Sequence, residues 1–161
     1  MGEMTYLIGE YECKIDAKGR IMLPAGLKEQ LMPADQVNFV VSRGFEKNLV
    51  LYPDSEWKKI SRELNSLNLY NRKNRDFVRY FTRGASSVRA DVASRLLLPR
   101  ALLEYAGINK DIVLFAYGQR IEIWDKAVYA EMMRREPEDF SSLAEEVMGL
   151  RTNNPEGGDV S

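Results

Sequence analysis

The chain has 161 residues, 45% of them hydrophobic and 29% charged, a length and composition that favour one soluble globular domain and exclude extended disorder over most of the sequence. A lone Cys13 permits no internal disulfide, and with no histidine the common His/Cys metal clusters are absent, so a reducing cytoplasm, no metal and no cofactor are expected. The net charge of -1 hides an uneven spread: residues 56–83 carry eight basic and three acidic side chains, residues 131–161 three and eight. That polarity suits a polyanion-binding face or attraction between subunits, and equally two solvated helical faces.

Met1-Gly2-Glu3-Met4-Thr5 lacks the basic start and long apolar run of a signal peptide, and no apolar run elsewhere could span a bilayer. Tyr11 to Ile15 alternates apolar and polar residues like a half-buried strand, and Ile21-Met22-Leu23 reads as its more buried partner. Asp16-Ala17-Lys18-Gly19 joins them as a hairpin turn, because Asp can bond its own backbone and Gly can take positive φ; Lys18 and Arg20 are thereby carried at or beside the tip. Pro24 starts a short helix, Ala25 to Leu31, spaced to bury Leu27 and Leu31. Val37–Val41 and Leu49–Tyr52 form a second strand pair around Gly44. Asp54 or Ser55 caps a helix reaching about Leu67 with Trp57, Ile60 and Leu64 on one face; Asn68 to Asn74 reads as loop, and Arg75 to Arg83 as a helix with Phe77, Tyr80 and Phe81 on one side.

The whole pattern then returns. Ile15-Asp16-Ala17-Lys18-Gly19-Arg20-Ile21-Met22-Leu23-Pro24 recurs 75 residues later as Ala90-Asp91-Val92-Ala93-Ser94-Arg95-Leu96-Leu97-Leu98-Pro99. A short helix closed by Gly107 follows, then Ile112–Ala116, a hairpin at Tyr117-Gly118-Gln119-Arg120, Ile121–Trp124, and a helix capped by Asp125 with Val128, Met132 and Met133 facing inward. Pro137 breaks that helix, and Phe140 to Leu150 offers one more. The organisation is a first repeat at 7–54, a helical connector at 55–83, a second repeat at 84–127, C-terminal helices at 128–151 and a disordered tail at 152–161. Each repeat is one unit that cannot bury its apolar face alone, so two copies closing one core is the expectation.

Enzymatic constellations are missing: no His-based triad, no metal-binding Cys pair and no Gly-rich phosphate loop. Asp16 and Asp91 form a pseudo-symmetric carboxylate pair, but each sits in a polar turn where stabilising the turn is the simpler role. In the Asp-x-x-x-Arg spacing the carboxylate can hold the guanidinium that closes the loop, and an Arg so held can reach phosphates or a guanine edge. Asp16, Asp91 and Gly19 are therefore loop organisers, Arg20 and Arg95 serve either role, and Lys18 is a surface lysine or a phosphate contact.

With these residues laid out, the chain resembles the MraZ family of bacterial transcriptional regulators, built from two AbrB-like (SpoVT-AbrB) swapped-hairpin units. The resemblance covers roughly Leu7 to Glu131 and rests on Ile15 to Ala25, Leu51-Tyr52-Pro53 with Trp57, Phe81-Thr82-Arg83-Gly84-Ala85, Asp91 with Arg95, Glu104-Tyr105-Ala106-Gly107 and Ile121-Glu122-Ile123-Trp124-Asp125. It implies an α+β, β-dominated fold, a pseudo-two-fold swapped-hairpin or double-psi-like barrel of two tandem repeats with peripheral helices. It also implies a ring-shaped homo-oligomer in the cytoplasm, associated with the nucleoid and binding double-stranded DNA at short direct repeats, usually to repress its own cell-wall and division gene cluster. No enzyme activity, small-molecule substrate or membrane partner follows from it. DNA contacts map to Lys18 and Arg20 in the first loop and Arg95 in the second. The second loop departs from the pattern, with Ser94 in place of a usual Gly and no base in Val92-Ala93, which puts more of the contact on the first loop; Lys28 replaces a usual Arg at the end of the first motif, which weakens a bidentate role there. Two rivals remain, a scaffold that binds no DNA and pairs its basic helices with a neighbour's acidic end, and a double-psi barrel enzyme using Asp16 or Asp91.

Overall fold

The computed structural model describes residues 6–134 and 139–152, with side chains as far as residue 149. The helix break at Pro137, residues 153–161 of the expected tail and the Met1–Thr5 start lie outside that range, while Thr152, expected to open the tail, ends a helix. The chain divides into two compact units, Met1–Tyr129 and Ala130–Ser161.

In the first unit the strands are β1 (Leu7–Lys14), β2 (Arg20–Met22), β3 (Asn38–Arg43), β4 (Leu49–Pro53), β5 (Ser86–Arg89), β6 (Arg95–Leu97), β7 (Asp111–Gly118) and β8 (Arg120–Asp125). Strands β2 and β6 each begin one residue before the apolar run that marks them, so Arg20 and Arg95 are strand residues and not loop tips. The helices are α1 (Ala25–Lys28), α2 (Asp54–Asn65), α3 (Arg72–Thr82) and α4 (Arg100–Ala106), followed by α5 (Lys126–Met133) and α6 (Phe140–Thr152).

The first hairpin does not pair with itself as its sequence suggests. Its arms form no ladder beyond a single bridge between Ile15 and Ile21, while β1 runs antiparallel to β7 over its whole length, from Leu7 opposite Gly118 to Lys14 opposite Asp111. Conversely β5, the counterpart of β1, pairs with β3. The sheet order β1-β7-β8-β4-β3-β5 reads as a palindrome of the two repeats, with β4 and β8 paired at its centre, and β2 and β6 form a separate two-stranded ribbon. This is a swapped-hairpin α+β architecture of two tandem repeats; among the described residues no ladder joins the edges β1 and β5 into a closed barrel. The exchange follows from burial, because an alternating strand hides its apolar side only against a second layer and each repeat lacks one.

One apolar core takes residues equally from both copies: Ile21, Leu23 and Leu27 from the first, Leu96, Leu98 and Leu102 from the second, with the aromatic strand ends Tyr52 and Trp124 also buried. Tyr129, which the sequence reading omits, is the buried residue of α5, edge-on to Trp124 at 5.7 Å, whereas Met133 is exposed and Val128 and Met132 are half-buried.

Two helix starts differ from expectation. Neither Asp54 nor Ser55 caps α2; the buried Asp35 does it from a distant turn, accepting the Ser55 N–H at 3.0 Å and its hydroxyl. Helix α3 begins at Arg72 because the Asn71 side chain accepts the Asn74 N–H at 3.1 Å, a local cap that shortens the expected loop. Asp125 does cap α5 as expected, accepting from Ala127 and Val128, and also takes the Asn109 N–H at 2.9 Å.

Candidate nucleic-acid interface

Each Asp-x-x-x-Arg loop is a closed knot of hydrogen bonds. In the first, Asp16 Oδ1 accepts the backbone N–H of Lys18 at 3.0 Å and of Arg20 at 2.8 Å, Oδ2 accepts Arg20 Nε at 2.7 Å, and the Asp16 N–H reaches Arg20 O at 2.9 Å. In the second, Asp91 Oδ1 accepts from Ala93 and Arg95, both at 2.9 Å, and Oδ2 accepts Arg95 Nε at 2.9 Å. The loops are also bound to each other: Leu98 N–H donates to Gly19 O and Leu23 N–H to Ser94 O, both at 2.9 Å, extending the ribbon.

The Asp–Arg pairing therefore has a structural half and a free half. The carboxylate takes only Nε, and among the described residues Nη1 and Nη2 of both arginines carry no bond. The side chains are 27% exposed for Arg20 and 35% for Arg95, so neither guanidinium is sealed inside. A planar fork held at its base and open at its end suits bidentate recognition of a phosphate or a guanine edge. Lys18 is exposed, and its ammonium carries no bond within the described residues.

Strand geometry fixes what surrounds the two arginines. In the ribbon Arg20 lies opposite Leu97 and Met22 opposite Arg95, with Ile21 opposite Leu96. Ile21 and Leu96 point into the core, fully buried, so alternation turns Arg20, Met22, Arg95 and Leu97 to the other face, where Met22 and Leu97 are exposed. The sequence reading omits Met22 and Leu97; the signal was present in the period-two spacing of Arg20 and Met22 around Ile21.

The departures in the second loop meet one another. Gly19 takes φ +88°, and Ser94 at the equivalent place takes φ +62°, the positive-φ non-glycine among the described residues. Lys28 Nζ donates to Ser94 Oγ at 2.7 Å, whereas the residue equivalent to Lys28, Leu103, packs against Gly19. Left-handed backbone costs a non-glycine residue about 1–2 kcal/mol, and the lysine bond offsets part of it. Ser94→Ala, which keeps the strain and loses the bond, is expected to lower unfolding stability by about 1 kcal/mol in urea titration. Ser94→Gly loses both and is expected to be close to neutral.

Both loop aspartates are held below the ordinary carboxylate range, first by the backbone N–H of Arg20 or Arg95 and then by the remaining loop donors. A carboxylate with a depressed folded pKa contributes stability above its unfolded value and loses that contribution as pH falls through the folded one. With no histidine to titrate, loop order is expected to be flat across roughly pH 5–8 and to fall only in acid, a dependence that Asp16→Asn and Asp91→Asn remove. Amide chemical shifts of Lys18 and Ala93 against pH measure it. The depression is opposite to the upward shift that a carboxyl acting as general acid at neutral pH needs. Burial pushes the Cys13 thiol up to about 11, away from the thiolate form.

A groove of about 980 Å³ opens beside the first loop, lined among others by Asp16, Lys18, Ser87, Arg100 and Glu104. Its walls mix both signs of charge, so the open ribbon is the better anionic-ligand face. Among the described residues no group of three or more His, Cys, Asp or Glu side chains could hold a metal ion, and no helix is long and apolar enough to cross a membrane.

Two tandem repeats that exchange their strands and each present a clamped arginine on one shared ribbon define a two-repeat swapped-hairpin protein. The family model described as "MraZ protein, putative antitoxin-like" matches residues 6–80 and again 81–151. Transcriptional regulator MraZ of Christiangramia forsetii is 48% identical over 91% of this chain and 95% of its own, and that of Flavobacterium psychrophilum 44% over 96% and 99%. The solution structure of PHS018 from Pyrococcus horikoshii aligns with 73% of this chain and 87% of its own at 16% identity and a TM-score of 0.29, a likeness that carries no argument. The chain belongs to the MraZ family.

Proposed function

We propose that this protein is a sequence-specific, DNA-binding transcriptional regulator that acts from the cytoplasm and nucleoid as a ring-shaped homo-oligomer. It binds spaced direct repeats in the promoter of its own cell-wall and division gene cluster and represses it. The observation that carries this reading is the pair of guanidiniums clamped at Nε and open at Nη1 and Nη2 on one exposed two-stranded ribbon. A two-stranded β-ribbon can enter the major groove. The names of the relatives, transcriptional regulators, agree with it.

Assembly is what makes so nearly neutral a subunit able to hold DNA. One loop offering Lys18 and Arg20 binds weakly in physiological salt, but several on one face engage spaced sites at high local concentration, which can add roughly 10²–10⁴ in avidity. The surface supports self-association. Helices α2 and α3 present a stacked set of Trp57, Phe77 and Phe81, with Phe77 and the neighbouring Tyr80 exposed, in a stretch rich in basic residues. Helix α6 carries exposed Phe140, Leu143 and Val147 in the acidic end of the chain. Apolar residues exposed in stretches of opposite charge suit head-to-tail contacts between copies, which form a ring when the rotation between subunits closes.

The test is footprinting on DNA upstream of the protein's own gene, with native mass measured in parallel. Protection at regularly spaced repeats by a multi-subunit species supports the reading; uniform or absent protection rejects it, leaving the scaffold.

A further inference from the structure

The ribbon face holds more than cations. Alternation places Met22 and Leu97 beside Arg20 and Arg95, where they are 54% and 57% exposed, and Val92, in the turn clamped by Asp91, stands entirely in solvent. Single surface hydrophobics need no explanation, but two sharing the face that carries both open guanidiniums, with a third exposed at the turn that leads into it, do. They are also held in place. Met22 and Leu97 belong to a paired ladder whose opposite face is locked by Ile21 and Leu96, and the Val92 turn is spanned by the Asp91 carboxylate, which accepts the N–H groups of Ala93 and Arg95 beyond it. At the tip of the first loop the equivalents of Val92 and Ala93 are Ala17 and Lys18, so the two tips differ in kind: one offers a charge, the other a branched apolar side chain.

We propose that Val92, Met22 and Leu97 are specificity-determining residues that read the C5-methyl groups of thymines in the major groove, beside guanine or phosphate contacts from Arg20 and Arg95. This rests on the DNA-binding reading above. A methyl group on the groove floor is the apolar feature by which thymine differs from cytosine there, and an apolar side chain is what distinguishes it. The two loops thereby supply different things, the first charge through Lys18 and the second shape through Val92. The second loop, which carries no base of its own between Asp91 and Arg95, is thus a reader of a different feature and not a weakened copy of the first.

The test uses the full chain and the upstream duplex it protects best, resynthesised with thymines replaced one at a time by deoxyuridine, which removes only the methyl group. Loss of one buried methyl is expected to weaken binding roughly fourfold, from the transfer free energy of one such group. Positions sensitive to the replacement in the wild type are expected to become insensitive in Val92→Ala or in the Met22→Gln/Leu97→Gln pair, with melting temperature and oligomer size unchanged. If wild-type protein binds the duplex in a salt-dependent way and no thymine replacement changes its affinity, the methyl reading is overturned while the DNA-binding reading stands. If the substitutions change oligomer size and leave the deoxyuridine pattern intact, the face is a subunit contact and the inference is wrong. If no duplex is bound at all, both readings fall.

Discussion

Arg20→Ala is expected to leave melting temperature and oligomer size almost unchanged while weakening operator binding about 5- to 150-fold for each guanine the side chain reads, the span of one bidentate arginine–guanine pair. The two halves of the effect come from different atoms. Folding uses only Nε, in an exposed ion pair of the kind that contributes little, and Asp16 keeps its bonds to the N–H groups of Lys18 and Arg20 whatever side chain follows. The proposed binding role falls to the open Nη1 and Nη2 end, which alanine removes entirely. Asp16→Ala differs, because it withdraws the acceptor of three hydrogen bonds and loosens the loop as well as freeing the arginine. Binding isotherms on one duplex, run beside thermal melts, separate the two. Should Arg20→Ala unfold the protein or change its oligomer size, the side chain is architectural.

Ile21→Ala is expected to have the largest effect on stability, about 2–5 kcal/mol by urea denaturation. Ile21 is fully buried and lies opposite the equally buried Leu96, so the cavity opens at the junction between the repeats. Total stabilities of domains are of order 5–15 kcal/mol, so one methyl-rich side chain at this place decides whether the protein stays folded. The exchange adds a cooperativity prediction: because β1 pairs with β7 and β5 with β3, the repeats unfold in one transition, and residues 6–80 alone stay unfolded. Two separate transitions in Ile21→Ala would mean that each repeat carries its own core.

Much of this was legible in the sequence because local chemistry determined it. Asp16 and Gly19 announce the turn, Pro24 and Pro99 mark the strand ends, Asp125 caps its helix, and the 75-residue return of the pattern gives the pseudo-symmetry. What failed was partnership. Tyr11 to Ile15 and Ile21 to Leu23 look like arms of one hairpin, and nothing in their alternation says that their partners lie in the other repeat; that is decided by which faces must be covered. The α2 cap failed for the same reason, since Asp35 reaches it from 20 residues away. At the candidate site the clamps were readable from the Asp–Arg spacing, whereas the Lys28–Ser94 bond spans 66 residues and cannot be read from either local sequence.

The central claim is that open arginine forks and Lys18, multiplied by assembly, hold DNA by charge and select it by bases. Titrating the upstream duplex and a scrambled duplex across a range of salt concentrations tests it most directly. The account predicts that log affinity falls steeply and linearly with log salt for both, that the upstream duplex binds more tightly throughout, and that Lys18→Ala lowers the slope by about one for each first loop in contact without altering the preference. Affinity that ignores salt, or equal affinity for both duplexes, would contradict it.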